Sequence, residues 1–488
     1  MVLFGGFPEI FNRFAGAKKL SLDLVSHFKK IIWMKKNGLA RGVEHRIAQF
    51  HDEPGLVALS VVPQKDMDGN FGSSGVGKSF FDEGAALAKA LGETVERMSL
   101  FSFSPPNAVT ASPKDLGDTA VSLDELSGVN TATRARIEKS DSFRKYHPQA
   151  ALSFKEQSEF RWTRANSFLD DKSAYIPLQL VSLAYSPTNH KEPLLRFLLS
   201  TGAAAGKTLD DAILSGILEV VERDAYMITW LNQLAPELLD FEDAPSAKLR
   251  MIARAFKRHR LELYLVCLPT DINVPAFLGI AIDRTGIGPA VTVGTKAGFD
   301  INDIVDGVAA DAIYLRTLMR KRGASDELLR HGHIALKTRV FWWWPRERIK
   351  DIEILIRGER KPLAYFEDRF SSALSLDSTA ARLNFLKNKL EELKLSTYWV
   401  DITRDDLKPL NIPAVVVSIP KMQPLYVDEC FPYTDGERLR SVPIKFGFIP
   451  TENPPLYSLA ASFLPCMLLT RPSFASKMVS VLGGREAF

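Results

Sequence analysis

The sequence Glu93-Thr94-Val95-Glu96-Arg97 returns further along the chain as Glu219-Val220-Val221-Glu222-Arg223. Each copy has an alanine seven residues upstream, Ala86 and Ala212. Both copies lie in runs whose apolar spacing predicts helices, residues 81–101 and 209–231. On a helix, positions three apart share a face, so each copy sets two carboxylates side by side with an arginine next to them. Asp211 precedes Glu222 by 11 residues and lies about 20° from it around the axis, on the same face. Four or five acids gathered on two helices repel one another unless a cation sits between them. Oxygen-only ligands suit Mg²⁺, which takes a few carboxylates together with substrate phosphates, and the arginines complement phosphate oxygens. The alternative, surface charge with local salt bridges, is weakened by the recurrence and its matched alanines. The helix predicted over 301–322 is a degenerate relative that offers Asp311 and Arg316.

A second motif competes for attention. GSSGVGKS, residues 72–79, matches the phosphate-loop pattern at every fixed position. A true P-loop leaves its strand directly, because the strand end aims the loop's N–H groups at the phosphates. Here the strand predicted at LVALSVV ends at Val62, and the polar run PQKDMDGNF separates it from Gly72. The expectation is therefore a glycine loop before a helix that touches phosphate through backbone N–H groups, without the P-loop fold.

Strands are predicted at 175–185, 262–269, 276–283 and 290–294, and again at STYWVDIT and PAVVVSIP, interleaved with helices that include STAARLNFLKNKLEELKL. The class is α/β (α+β). A basic helical extension occupies 1–45, a core 46–330 carries a loop-rich insertion at 106–150, and an α/β part 331–488 completes the domain. Trp342, Trp343 and Trp344 read as core or subunit packing. The net charge of +4 over 488 residues lacks the concentrated basic excess of a nucleic-acid binder. The three cysteines, Cys267, Cys430 and Cys466, have no metal spacing and suit a reducing cytosol; Cys466 reads as a buried thiol. The eight histidines show no zinc pattern. No apolar run reaches the ~20 residues of a membrane span, and the start reads as no signal peptide, so the expected setting is cytoplasmic.

STGAAAGKTLDDAILSGILEVVERDAYMITW resembles the signature of the YcaO superfamily, and GSSGVGKSFFDEGAALAKALGETVERMS resembles its first nucleotide motif. The likeness continues through YIPLQLVSLAY, VDITRDDLKPLNIPAVVVSIPKMQPL and GERLRSVPIKFG, over roughly residues 45 to 460. It implies a YcaO-type ATP-binding fold of mixed sheets flanked by helices, not a P-loop fold. It implies Mg²⁺ held by Glu93, Glu96, Asp211, Glu219 and Glu222, and ATP contacted by Ser74, Lys78, Arg97, Lys207, Arg223 and Arg316. Tyr433 and Arg438 would meet substrate. The later motifs resemble the branch that makes thiazoles and oxazoles. There, Cys, Ser or Thr side chains attack the preceding amide, whose oxygen is phosphorylated by ATP and leaves.

That branch implies a precursor peptide as substrate, an E1-like, leader-binding partner protein, a flavin dehydrogenase, and a homodimer. The sequence names no general base. Azoline-forming relatives often end in PxPxP, whereas this chain ends GGREAF with only ENPPLY similar upstream. Thioamide or amidine formation therefore stays open, as does a noncatalytic scaffold.

Overall fold

The computed structural model describes residues 22–45, 50–64, 74–197, 199–323 and 339–452. Gly72 and Ser73, the boundary near 330, all of ENPPLY but Glu452, Cys466 and the GGREAF end fall outside these residues. Three sheets carry the described strands. The first is β1 (Ala40–His45), β2 (Val57–Pro63) and β3 (Gly75–Ser79), all antiparallel. The second runs in the order β11 (Val291–Ala297), β10 (Ala276–Asp283), β9 (Leu261–Cys267), β8 (Leu238–Asp240), β12 (Arg360–Pro362). The third runs β4 (Val109–Ala111), β5 (Phe160–Ser167), β13 (Tyr398–Asp401), β14 (Ala414–Ser418), β7 (Ala203–Ala205), with β6 (Ser173–Pro177) also on β5. Strands from either side of residue 330 thus share two sheets.

Every residue of β10 is buried, and alternate residues enter different cores. Leu278, Ile280 and Ile282 meet Trp230 and Trp343, whose rings pack edge-on at 5.7 Å. Phe277 and Ala281 face the helix α5 (Ile301–Arg322). Between them Gly279 pairs across the sheet with Gly294. A Cβ on Gly294 would lie 2.4 Å from the carbonyl oxygen of Val308 and 2.7 Å from Cβ of Asp311. The bare backbone lets α5 settle onto the sheet and brings Asp311 in with it.

The same device recurs at β3, and here the structure corrects the sequence reading. Residues 75–79 of the phosphate-loop pattern form a strand rather than a loop, antiparallel to β2. Its glycines face the helix α2 (Glu83–Ser102). A Cβ on Gly77 would lie 1.6 Å from the carbonyl oxygen of Ala86, and one on Gly75 2.2 Å from that of Ala90. The pattern's lysine and serine are turned toward α5: Lys78 Nζ pairs with Asp311 at 2.6 Å, and Ser79 Oγ donates to Asp306 at 2.9 Å. Glycine spacing alone does not separate a backbone that must approach a phosphate from one that must approach a helix.

Two further expectations change. The stretch 106–150 is built of short helices capped by Ser112, Ser122, Asn130 and Ser140. The polar residues that suggested a loop are the capping residues. Arg134 ties it down by donating to the carbonyls of Val129, Leu152, Leu194 and Leu195. The strand predicted at 175–185 stops at Pro177, where a 3₁₀ turn begins.

Gly77→Ala is expected to destabilise the protein by about 3 kcal/mol. Gly92→Ala, on the same helix with open space around the added Cβ, should stabilise it by about 0.5–1 kcal/mol. Denaturant midpoints of the two variants check both.

Candidate nucleotide and magnesium site

The sequence repeat is also a repeat of structure. On α2, Glu93 accepts the β3 amide of Val76 at 2.8 Å and is approached at 3.5 Å by Arg97, four residues on. On α3 (Leu209–Leu231), Glu219 accepts the amide of Gly202 at 3.0 Å and pairs at 2.9 Å with Arg223, again four residues on. Gly202 has φ +82, and a Cβ there would lie 2.1 Å from the carbonyl oxygen of Val417. Only glycine both adopts that backbone and allows β14 so near, which fixes the amide that holds Glu219. The second glutamate of each motif follows suit: Glu96 lies 3.6 Å from Arg97 and Glu222 2.6 Å from Arg223. Glu222 also accepts from Thr295 Oγ1 and from the Ala297 amide at 3.3 Å.

The two helices bring their acids within electrostatic reach of each other. Glu96 is held well above the usual carboxylate range, chiefly by burial. Arg97 opposes this, and Glu219 and Glu93 add to it. Burial also raises Glu222, against Arg223 and Thr295, with Glu219 and Asp311 pushing the same way as burial. Four glutamates from two helices, with Asp311 from a third, therefore form one cluster that two arginines neutralise only in part.

Among the described residues no three histidine, cysteine or acidic side chains converge closely enough to cage an ion. The donor set nevertheless fits Mg²⁺ of the kind that keeps waters, takes one or two carboxylates and is completed by substrate phosphates. Oxygen donors raised by burial and by one another are groups that a divalent cation would relieve.

The other sequence candidates are dispersed. Asp211 shares the face but not the place: 11 residues at 1.5 Å put it about 16 Å along the axis from Glu222. There its carboxylate accepts from Thr379 Oγ1 at 2.7 Å. Arg316 is buried between Glu53 and Asp283, with Arg320 also on Glu53 at 2.9 Å. Ser74 is half-buried just ahead of β3, and Lys207 is exposed before α3. Lys207 is near enough to Lys30 to lower the pKa that burial already depresses. Tyr433 and Arg438, expected at the substrate, are both buried and engaged within the protein. The Tyr433 hydroxyl accepts from the Phe197 amide at 2.7 Å, and Arg438 is buried on Asp224 and Asp271, both at 2.7 Å.

Sequence reasoning missed Lys89. It is one helical turn before Glu93 on the same face, donates to the Lys78 carbonyl at 3.1 Å, and has a pKa drawn down to about 8 by burial, with Lys296 and Lys78 adding while Asp306 and Asp311 oppose. The four-residue spacing from Glu93 was the available signal.

The mixed α/β fold gathers carboxylates, arginines and lysines on three helices and β3, with no P-loop among the described residues. The YcaO cyclodehydratase family model, described as ATP- and Mg²⁺-binding, matches residues 76–423. The chain belongs to the YcaO family, and ATP and Mg²⁺ are its cofactors. An uncharacterized protein of Methanothermobacter thermautotrophicus is 25% identical over 294 residues, 58% of this chain and 70% of that protein. Among solved structures, a heterocyclase in complex with substrate and cofactor shares the fold at TM-score 0.68 and 20% identity, covering 89% of this chain. This chain spans only 56% of that heterocyclase. YcaO from Methanopyrus kandleri, bound with AMPPCP and Mg²⁺, aligns at TM-score 0.55 and 17% identity, covering 88% of this chain and 96% of that one. No described helix is long and apolar enough to cross a membrane.

A carboxyl whose pKa is raised on folding keeps its proton better in the native state. Its contribution to stability is then complete below the unfolded value and falls as pH climbs toward the folded one. The thermal midpoint of the ligand-free protein should accordingly fall as pH rises above the ordinary glutamate value of about 4.3. Glu96→Gln should flatten that slope, and scanning calorimetry across pH 4–8 checks it. An unchanged slope in the variant would contradict the cluster.

Proposed function

We propose that this chain is an ATP-dependent modifying enzyme for the backbone amides of a ribosomally made precursor peptide, forming thiazolines or oxazolines from Cys, Ser or Thr. The observation that carries this reading is the paired ExxER geometry: two helices present the same glutamate–arginine arrangement to one space, in a chain whose family is described as ATP- and Mg²⁺-binding. An amide oxygen is a poor leaving group, and bound Mg-ATP supplies the phosphoryl group that makes it a good one. The protein's share is positioning and charge neutralisation.

Glu93, Glu96, Glu219 and Glu222 provide the oxygens that would hold Mg²⁺. Arg97 and Arg223 pair with those oxygens and would face the phosphates. Lys78 and Lys89 stand beside them on β3 and α2, and Arg316 orders α5 through its buried acids. Asp211 supports the Thr379 helix rather than the metal. A separate leader-binding protein, a flavin dehydrogenase, a second copy of the chain and a cytoplasmic setting complete the proposal. Support comes from the heterocyclase solved with its substrate and from the microcin synthetase, solved as a multi-protein complex, at TM-score 0.50.

The test is incubation of the chain, the partner and a Cys-bearing precursor with Mg-ATP, followed by mass spectrometry. Loss of one water mass per event is expected. A shift matching replacement of oxygen by sulfur would replace ring formation with thioamide chemistry, and no mass change with intact nucleotide binding would leave a scaffold. Glu222→Gln should lower peptide-dependent ATP turnover at least about a hundredfold with the fold retained by circular dichroism. Asp211→Asn should leave turnover near wild type.

A further inference from the structure

One cavity is accounted for by neither the carboxylate cluster nor the fold's own charges. Arg223 lines it, and so does Arg196, with Phe197, Leu199, Val417 and Ile419 among its apolar walls. Arg223 is already paired with Glu219 and Glu222. Arg196 is different. Among the described residues no acid or carbonyl accepts from its guanidinium, and the one ionisable group it senses is the Tyr433 hydroxyl, which already accepts from the Phe197 amide. The nearby acids are spent elsewhere: Asp224 and Asp271 on Arg438, and Asp428 against His147. Burial lowers the Arg196 pKa, yet a guanidinium stays charged at neutral pH. Arg196 is half-buried and its cavity carries polar lining, Thr201, Ser418 and Gln423, beside the apolar walls. With no acid on it among the described residues, its guanidinium is left to water, and an anion that enters gains a charge partner without displacing one.

We propose that the Arg196 cavity is a recognition site for a carboxylate carried by the peptide substrate, an Asp or Glu side chain beside the residue that is modified. The apolar walls would cover the side chain's methylenes and the guanidinium fork would take both oxygens. The cavity, roughly 30 Å³, has room for two or three water-sized atoms. That suits a carboxylate's two oxygens. The site rests on the peptide-modifying reading above. Arg223 joins the two: it borders the cavity and holds Glu219 and Glu222, so a peptide anchored at Arg196 would be led toward the cluster.

The probe is propionate, compared with propionamide at matched ionic strength, on the full chain without nucleotide. Propionate at tens of millimolar is expected to raise the thermal midpoint by about 1–2 °C, with no rise from propionamide. Arg196→Gln should abolish the rise and Arg196→Lys should weaken it, since a point charge lacks the fork. An equal rise with propionamide, or an undiminished propionate rise in Arg196→Gln, would overturn the site. Should that variant fail to fold, the propionate-against-propionamide contrast in the unaltered protein decides alone.

With a substrate peptide in hand, changing its flanking Glu to Gln should raise KM several-fold with kcat unchanged, and Arg196→Gln should erase that difference. The propionate readout needs neither ATP nor turnover. A positive propionate result without peptide modification would sink the proposed function, and the reverse result would sink only the Arg196 site.

Discussion

Backbone pressed against backbone, with no Cβ between, is the contact on which the site depends. Gly75 and Gly77 lie against Ala86 and Ala90 of α2 so closely that a methyl group would overlap a carbonyl oxygen. At that separation the Val76 amide reaches Glu93, and Thr94 Oγ1 accepts from the Gly75 amide at 3.1 Å while donating back into its own helix. The equivalent contact at Gly202 fixes Glu219. The acids are thus set by the strands behind the helices. Close packing transmits small displacements, so a shift of β3 would be felt at the carboxylates.

Cations and acids at the site are arranged in alternation. Arg97 and Arg223 each straddle two glutamates, and Lys78 meets Asp311. Such an arrangement keeps like charges near one another in the absence of a metal by setting a paired cation between them. Bound nucleotide would draw on both halves, phosphates on the cations and Mg²⁺ on the acids. Burial raises Glu96 above the usual carboxylate range, with Arg97 opposing it and Glu219 and Glu93 adding to it.

Much of this was legible in the residues. The three long helices were marked by apolar periodicity, and the fully buried strand Ala276–Asp283 by an unbroken β-rich run. The ExxER pairs declared themselves by recurrence. What failed to show was depth along an axis and partners distant in sequence. Asp211 satisfied the angular rule while standing about 16 Å away. Arg316 found Glu53 and Asp283, which no local pattern connects. The glycine motif announced close approach correctly but not what would approach. Arg196 carried no sequence signal, because the lack of an acid partner among the described residues is a property of the surroundings.

The order of the third sheet has a consequence for how the protein is made. β14 lies between β13 and β7, and its Val417 carbonyl closes over Gly202, the residue whose amide grips Glu219. A nascent chain therefore cannot finish this half of the site until residue 418 has left the ribosome, some two hundred residues after α3 is synthesised. Pairings across such long stretches of chain form late and slowly. Competence to hold nucleotide would arrive only once nearly the whole described chain is assembled, so a truncated product would carry every site residue and still lack the site.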